Sequence, residues 1–203
     1  MIVIIIMIKM WGIDIRKLFK IVSVKHILYL IVIGLLITLL YPIFNIPNLL
    51  NGFSVNKTGL MMPITNVFEQ KGISFYYVIR TLLLIPFLEE TLYRGIIQNK
   101  LKEKFSATWA IVISSLFFAV GHMAFEQSIT VFFSSLLIGY IYHKSNNLSI
   151  VVLLHSFINL GFLFLKIEYT DTISVSILLY HFALIALLLF ISKKYPKKDS
   201  HGN

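Results

Sequence analysis

Apolar residues in this chain come in blocks rather than in the narrow stripe of a soluble amphipathic helix. Six blocks stand out, over 26–44, 73–100, 108–125, 128–142, 148–165 and 174–192. A helix that spans a bilayer needs about 20 mostly apolar residues, so each block is predicted to be a membrane helix, the short fourth one extending into its flanks. No stretch alternates with the period of two that a half-buried strand would show. The predicted fold class is therefore all-α, a polytopic membrane protein with about six transmembrane helices enclosing an intramembrane polar cavity. No repeat and no polar linker divides the chain, so 1–203 reads as a single integral membrane domain.

The segments outside the blocks are read separately. Ile2 to Ile8 is apolar but too short to span, and it lacks the basic n-region and the small-residue cleavage site of a secretory signal. Together with 11–24, which mixes apolar residues with Arg16, Lys17 and Lys20, it is expected to lie in the interface as an amphipathic helix within 1–25. The connection 42–72 contains Pro42, Pro47 and Pro63 and is too long for a tight hairpin. It is expected on the outer side as an irregular lid or a partly re-entrant segment. The basic tail, 193–203, reads as disordered.

Composition agrees with the pattern. Only 13% of the residues are charged, against about 25% in a soluble domain, and the mean hydropathy is +0.85. The net charge of +9 invites a nucleic-acid reading, which its distribution rejects. With six spans and the N-terminus inside, thirteen basic residues fall on the inner side and only Lys57, Lys71 and Lys166 on the outer. This is the positive-inside pattern of a cell-membrane protein with both termini inside, with attraction to anionic lipid as a further contribution. The chain has no cysteine, which excludes a thiol nucleophile, a Cys-ligated zinc and a disulfide frame.

Candidate chemistry is concentrated in the middle of the chain. Glu89 and Glu90 follow directly on an apolar run, and a carboxylate there costs several kcal/mol unless paired or functional. Arg94 stands four residues after Glu90, on the same helical face, so these two can pair. Glu89 lies about 100° further round and cannot comfortably share that arginine, which leaves it free to face a cavity as a base. His122, in the third block, adds an imidazole. His155 and Asn159, in the fifth, share a helix face one turn apart. A carboxylate and an imidazole can take the proton of an attacking water, and imidazole and carboxamide N–H groups suit the oxyanion that follows.

Glu-Glu-x-x-x-Arg, then Phe-x-x-x-His from Phe118, then His-x-x-x-Asn, in that order on separate helices, resembles the CPBP family. These are the CAAX proteases and bacteriocin-processing enzymes, also called Abi proteins, which include the type II CAAX prenyl endopeptidases. The family-like core covers 73–165. The resemblance implies a glutamate-dependent intramembrane endopeptidase in which Glu89 and His122 activate water and His155 and Asn159 form the oxyanion site. It further implies that Glu90 and Arg94 are a structural pair and that Phe118 packs beside the site. Its substrates would be membrane-presented peptides or protein termini, in CAAX-like processing, pheromone or bacteriocin maturation, or bacteriocin self-immunity.

Other membrane-protease chemistries lack their residues here. There is no Gly-x-Ser-Gly, no aspartate within the predicted spans and no His-Glu-x-x-His. No cofactor is expected. A zinc held by Glu89, His122 and His155 is the alternative, two histidines and one glutamate being a known catalytic set. The rival from another class is a non-catalytic membrane immunity or scaffold protein that keeps the polar cluster for packing. Expected partners are the bilayer and a peptide or protein substrate, with no nucleic acid; the sequence sets no oligomeric state. Arg80, inside the second block, has three readings: it reaches the outer interface, contacts a substrate's carboxy-terminus, or marks a later start of that helix.

Overall fold

The computed structural model describes residues 2–40, 75–122 and 125–164, together with Ala186 and Phe190. The expectations for 42–72 and for the tail lie outside the described residues, as does the sixth block apart from those two positions. Every described element is helical. Helix α1 (Ile2–Trp11) stops at Gly12, whose φ of +61° is open to glycine without strain. A 3-10 turn (Ile15–Leu18) follows, capped by the Asp14 carboxylate, which accepts the Arg16 N–H. The N-terminal segment is thus two short pieces rather than one amphipathic helix, because Gly12 and Asp14 each terminate the helix locally. Helix α2 is Val24–Leu40.

Helix α3 (75–102) is one rod in five successive pieces: Phe75–Ile79, a π segment Arg80–Leu84, Ile85–Glu90, a second π segment Thr91–Gln98, and Asn99–Lys102. The residues at its junctions keep right-handed helical angles, as at Thr91 (φ −60°, ψ −46°). Ser106 caps α4 (Ala107–Gly121) by accepting the Trp109 N–H. Helix α5 (Phe125–Ser145) fills both flanks of the short fourth block. It ends at Asn146, with φ +45°, a left-handed conformation that asparagine tolerates. The Asn147 side chain then accepts the Ser149 N–H at 3.0 Å, opening α6 (Leu148–Phe164).

Among the described residues no helix is long and apolar enough to cross a membrane. Five of the six expected blocks are helical, but spanning does not follow from them individually. The described parts of α2 and α6 have 17 residues each, about 25 Å at 1.5 Å per residue, and the residues that follow each lie outside the described ones. Helix α5 ends in His143 and Lys144, and α3 carries charges along its length.

Helix directions follow from which residues meet. Arg94 reaches Ser135 and Gln98 reaches Gly139, both 41 positions on, so α3 and α5 run parallel. Glu90 meets His155 and Thr81 meets Asn159, so α3 and α6 run antiparallel. Gly34 faces Phe157 and Thr38 faces Gly161, so α2 and α6 are parallel. These glycines allow the approach, since a Cβ at Gly34 would lie 2.9 Å from that of Phe157, and one at Gly161 would clash with the Thr38 hydroxyl. Around this seam Leu30, Ile33, Ile141, Leu148, Val151 and Leu154 are fully buried.

The alternation brings Lys25, Lys100, Lys102, Lys104 and Lys144 to one end of the bundle. Among the described residues of α2–α6, only the exposed Arg80 carries positive charge in the opposite half. At the basic end Lys102 lies 5.0 Å from the Tyr142 ring centre, and burial holds its ammonium below the usual lysine range. Burial, then Lys102 and Lys144, lowers the pKa of His143 there. Asn147 ties the N-terminal segment to this end through both the N–H and the carbonyl of Lys20.

Candidate active site

Three helices carry the candidate residues: α3 with Glu89, Glu90 and Arg94, α4 with Phe118 and His122, and α6 with His155 and Asn159, of which Glu90, Arg94, Phe118 and His155 are buried and the others part-buried. Glu90 is fully buried and Arg94 is 1% exposed. Their Nε–Oε2 contact of 3.1 Å is an ion pair at an angle outside hydrogen-bond range, and Arg94 Nη1 donates to Oε1 at 3.2 Å. Arg94 Nη2 donates to the Ser135 hydroxyl at 2.7 Å and to the Ser135 carbonyl at 3.2 Å. The guanidinium also lies 4.5 Å from the centre of the Phe118 ring, a favourable cation–π approach. Removing one member of such a buried pair typically costs about 3–5 kcal/mol, because the survivor is left charged and unpaired.

His155 is inserted between the two glutamates. Its Nδ1 is 2.8 Å from Glu90 Oε1, and its Nε2 is 3.8 Å from Glu89 Oε2. A carboxylate only accepts, so Nδ1 carries the proton and Nε2 is the atom turned to Glu89. Glu90 is therefore held by arginine and histidine together, a tighter binding than the i,i+4 pair alone supplies.

Glu89 is different. Its side chain is 30% exposed, yet Oε2 is buried and has no hydrogen-bond partner. A buried polar atom without a partner carries the full cost of its desolvation, which makes it the natural position for a water or substrate group. The imidazoles of His155 and His122 both lie within electrostatic reach of this carboxylate.

His122 caps the end of α4, and its Nδ1 is 2.9 Å from the Phe118 carbonyl oxygen. A carbonyl cannot donate, so Nδ1 bears the hydrogen and the neutral ring keeps a lone pair on Nε2. Phe118 packs between the partners: its ring centre is 4.9 Å from that of His122, 5.8 Å from that of His155 and 5.0 Å from that of Tyr93. Asn159 does not bond to the cluster. Its Nδ2 donates to the backbone carbonyl of Thr81 at 2.9 Å, on the first π segment of α3.

A zinc would require Glu89, His122 and His155 to converge. Among the described residues no three His, Asp or Glu side chains are grouped to hold a metal ion. Nδ1 of His155 donates to Glu90, which leaves Nε2, the nitrogen turned to Glu89, as its one possible ligand atom.

Two contributors escape a reading of the chain alone. Ser135 reads there as a small packing residue, although a guanidinium has five donors and one carboxylate cannot satisfy them all. The Thr81 carbonyl has no side-chain signature, but Pro86 five residues on is a clue to it. Arg80, read three ways from the sequence, is exposed and has no ion-pair partner among the described residues.

Residues 71–161 match the family described as type II CAAX prenyl endopeptidase Rce1-like. The matched segment contains Glu89, Glu90, Arg94, Phe118, His122, His155 and Asn159. It supports the CPBP resemblance carried by the three motifs, and the family is one of membrane proteases. No curated protein and no solved structure matches the chain.

Proposed function

We propose that this chain, whose segment 71–161 belongs to the CPBP family of CAAX proteases, is an endopeptidase that uses Glu89 and His122 to activate water against a membrane-presented peptide. One observation carries the reading: Glu90 is fully buried with the Arg94 guanidinium within 3.2 Å of both its oxygens and His155 on Oε1, while Glu89 is 30% exposed and its Oε2, without a hydrogen-bond donor, lies 3.8 Å from Nε2 of His155.

In the proposed reaction a water binds between Glu89 and Nε2 of His122 and gives its proton to Glu89 as its oxygen bonds to the peptide carbonyl carbon. The carbonyl electrons move onto oxygen. Asn159, with the second hydrogen of Nδ2, and His155, as an imidazolium donating from Nε2, stabilise that charge. The C–N bond then breaks, and the amine leaves with the proton that Glu89 held. Each oxyanion donor of this kind contributes about 2.7–4 kcal/mol to the transition state. No metal step is part of the reading.

The substrate class follows from the family: a peptide or protein terminus at the membrane, with a lipidated-cysteine terminus as first choice and a pheromone, a bacteriocin or bacteriocin self-immunity as the further options. The thirteen-to-three bias of basic residues supports an orientation with both termini inside. The test is cleavage of a farnesylated peptide with three residues after the cysteine by the purified full chain in detergent. Glu89→Gln and His122→Ala should each slow cleavage about 10²–10⁴-fold, and a chelator should leave the rate unchanged. Undiminished cleavage by well-folded Glu89→Gln refutes the mechanism. Absence of cleavage by the native chain on lipidated and unlipidated peptides alike favours the immunity or scaffold reading instead.

A further inference from the structure

Helix α3 contains a proline inside its most important stretch. In the π segment Arg80–Leu84 the register is five: the N–H of Ile85 donates to the carbonyl of Arg80. The next donor in that register, the N–H of residue 86, should serve the carbonyl of Thr81. Residue 86 is a buried proline and has no N–H. The Thr81 carbonyl is thereby left open in a part-buried position against α6, where an unpaired backbone group is costly. The side chain of Asn159 fills the vacancy, with Nδ2 at 2.9 Å, from a helix 78 positions away in sequence.

From this geometry we infer that Asn159 is a positioning residue, acting as the missing backbone donor of Pro86 and thereby locking α6 to the turn of α3 that precedes Glu89. The inference rests on the proposed function and deepens it: one hydrogen of the amide holds the scaffold and the other is left for the substrate. Pro86 stands three residues before Glu89, less than one helical turn. The angle at which Glu89 leaves α3 is therefore set by how the helix passes its proline. Locking that passage to α6 also sets the spacing between Glu89 and His155, because His155 lies on the same helix one turn before Asn159. The unusual π register, the proline and the asparagine form one device.

The test is a double-substitution cycle on the purified full chain, read by thermal unfolding and by kcat and KM on the farnesylated peptide. Asn159→Ala leaves the Thr81 carbonyl unpaired and should lower Tm by about 2–12 °C. It should also lower kcat with little change in KM. Pro86→Ala returns an N–H to the helix, so in the Asn159→Ala background it should restore most of the lost Tm and the part of kcat that positioning contributes, while the part due to the substrate-facing hydrogen of Asn159 stays lost. If Pro86→Ala gives no recovery of stability in that background, Asn159 does not serve the vacancy and the inference fails. Recovery of stability without recovery of kcat removes the positioning role. Should Asn159→Ala not fold, Asn159→Leu, of similar size and equally without a donor, carries the same cycle. The unfolding arm is independent of catalysis, so a native chain that cleaves nothing sinks the proposed function while the Tm coupling still decides the clamp.

Discussion

Glu89 and Glu90 differ by one position and about 100° around α3, and that rotation places them in two different environments. Toward Glu90 the bundle closes: Arg94, itself held by Ser135 and Phe118, and His155 engage a fully buried carboxylate and leave it little to exchange with anything outside. Toward Glu89 the bundle stays open enough to leave the side chain partly exposed, while one carboxylate oxygen has no donor. The closed side is expected to carry the stability of the cluster, and under the proposed function the open side carries its reactivity. A carboxylate in an apolar bundle persists by being paired or by having work to do, and the proposed function assigns one of these to each of two adjacent residues.

The same isosteric change should therefore have opposite effects at the two positions. Glu90→Gln leaves Arg94 buried without its counter-charge and should destabilise by about 3–5 kcal/mol, read as a large loss of Tm or of folded yield; a variant as stable as the native chain would erase the distinction. Ser135→Ala removes one charge-assisted hydrogen bond and should cost about 1.5–3 kcal/mol, measured in the same way. On the α2–α6 seam, away from both glutamates, Gly161→Ala should cost about 1–3 kcal/mol by overpacking against Thr38, and Thr38→Ala should relieve part of it. Smallest in stability is Glu89→Gln, expected to stay within about 0.5 kcal/mol of the native chain or to gain while losing catalysis. A Glu89→Gln chain as unstable as Glu90→Gln would make both residues structural.

Much of this architecture is legible in the residues because its signals are local. The apolar blocks mark helices α2 to α6, and the i,i+4 spacing of Glu90 and Arg94 marks their pairing before any coordinates. Helix α1 is less legible: apolar content alone reads as one continuous interfacial helix, and Gly12 with Asp14 breaks it. The division of α3 into α and π segments escapes a count of apolar positions altogether, since both registers bury similar faces over a few residues. Asn159 is visible as a site residue, but its partner is not, because a backbone carbonyl looks alike at every position. Hydropathy also misplaces helix ends in both directions: α4 stops at Gly121, short of its block, while α5 runs from Phe125 to Ser145, past both ends of its block.

By itself the sequence determined the helical class, the absence of thiol chemistry, the segregation of basic charge and the three motifs with their order. Each of these depends on neighbours within one turn or on composition, which the chain states directly. Only the tertiary structure decided that His155 stands between the two glutamates, that Ser135 completes the shell of Arg94, and that Asn159 answers for the hydrogen Pro86 lacks. These are contacts across 41 to 78 positions of chain, set by the direction and rotation of packed helices, and no local pattern encodes them.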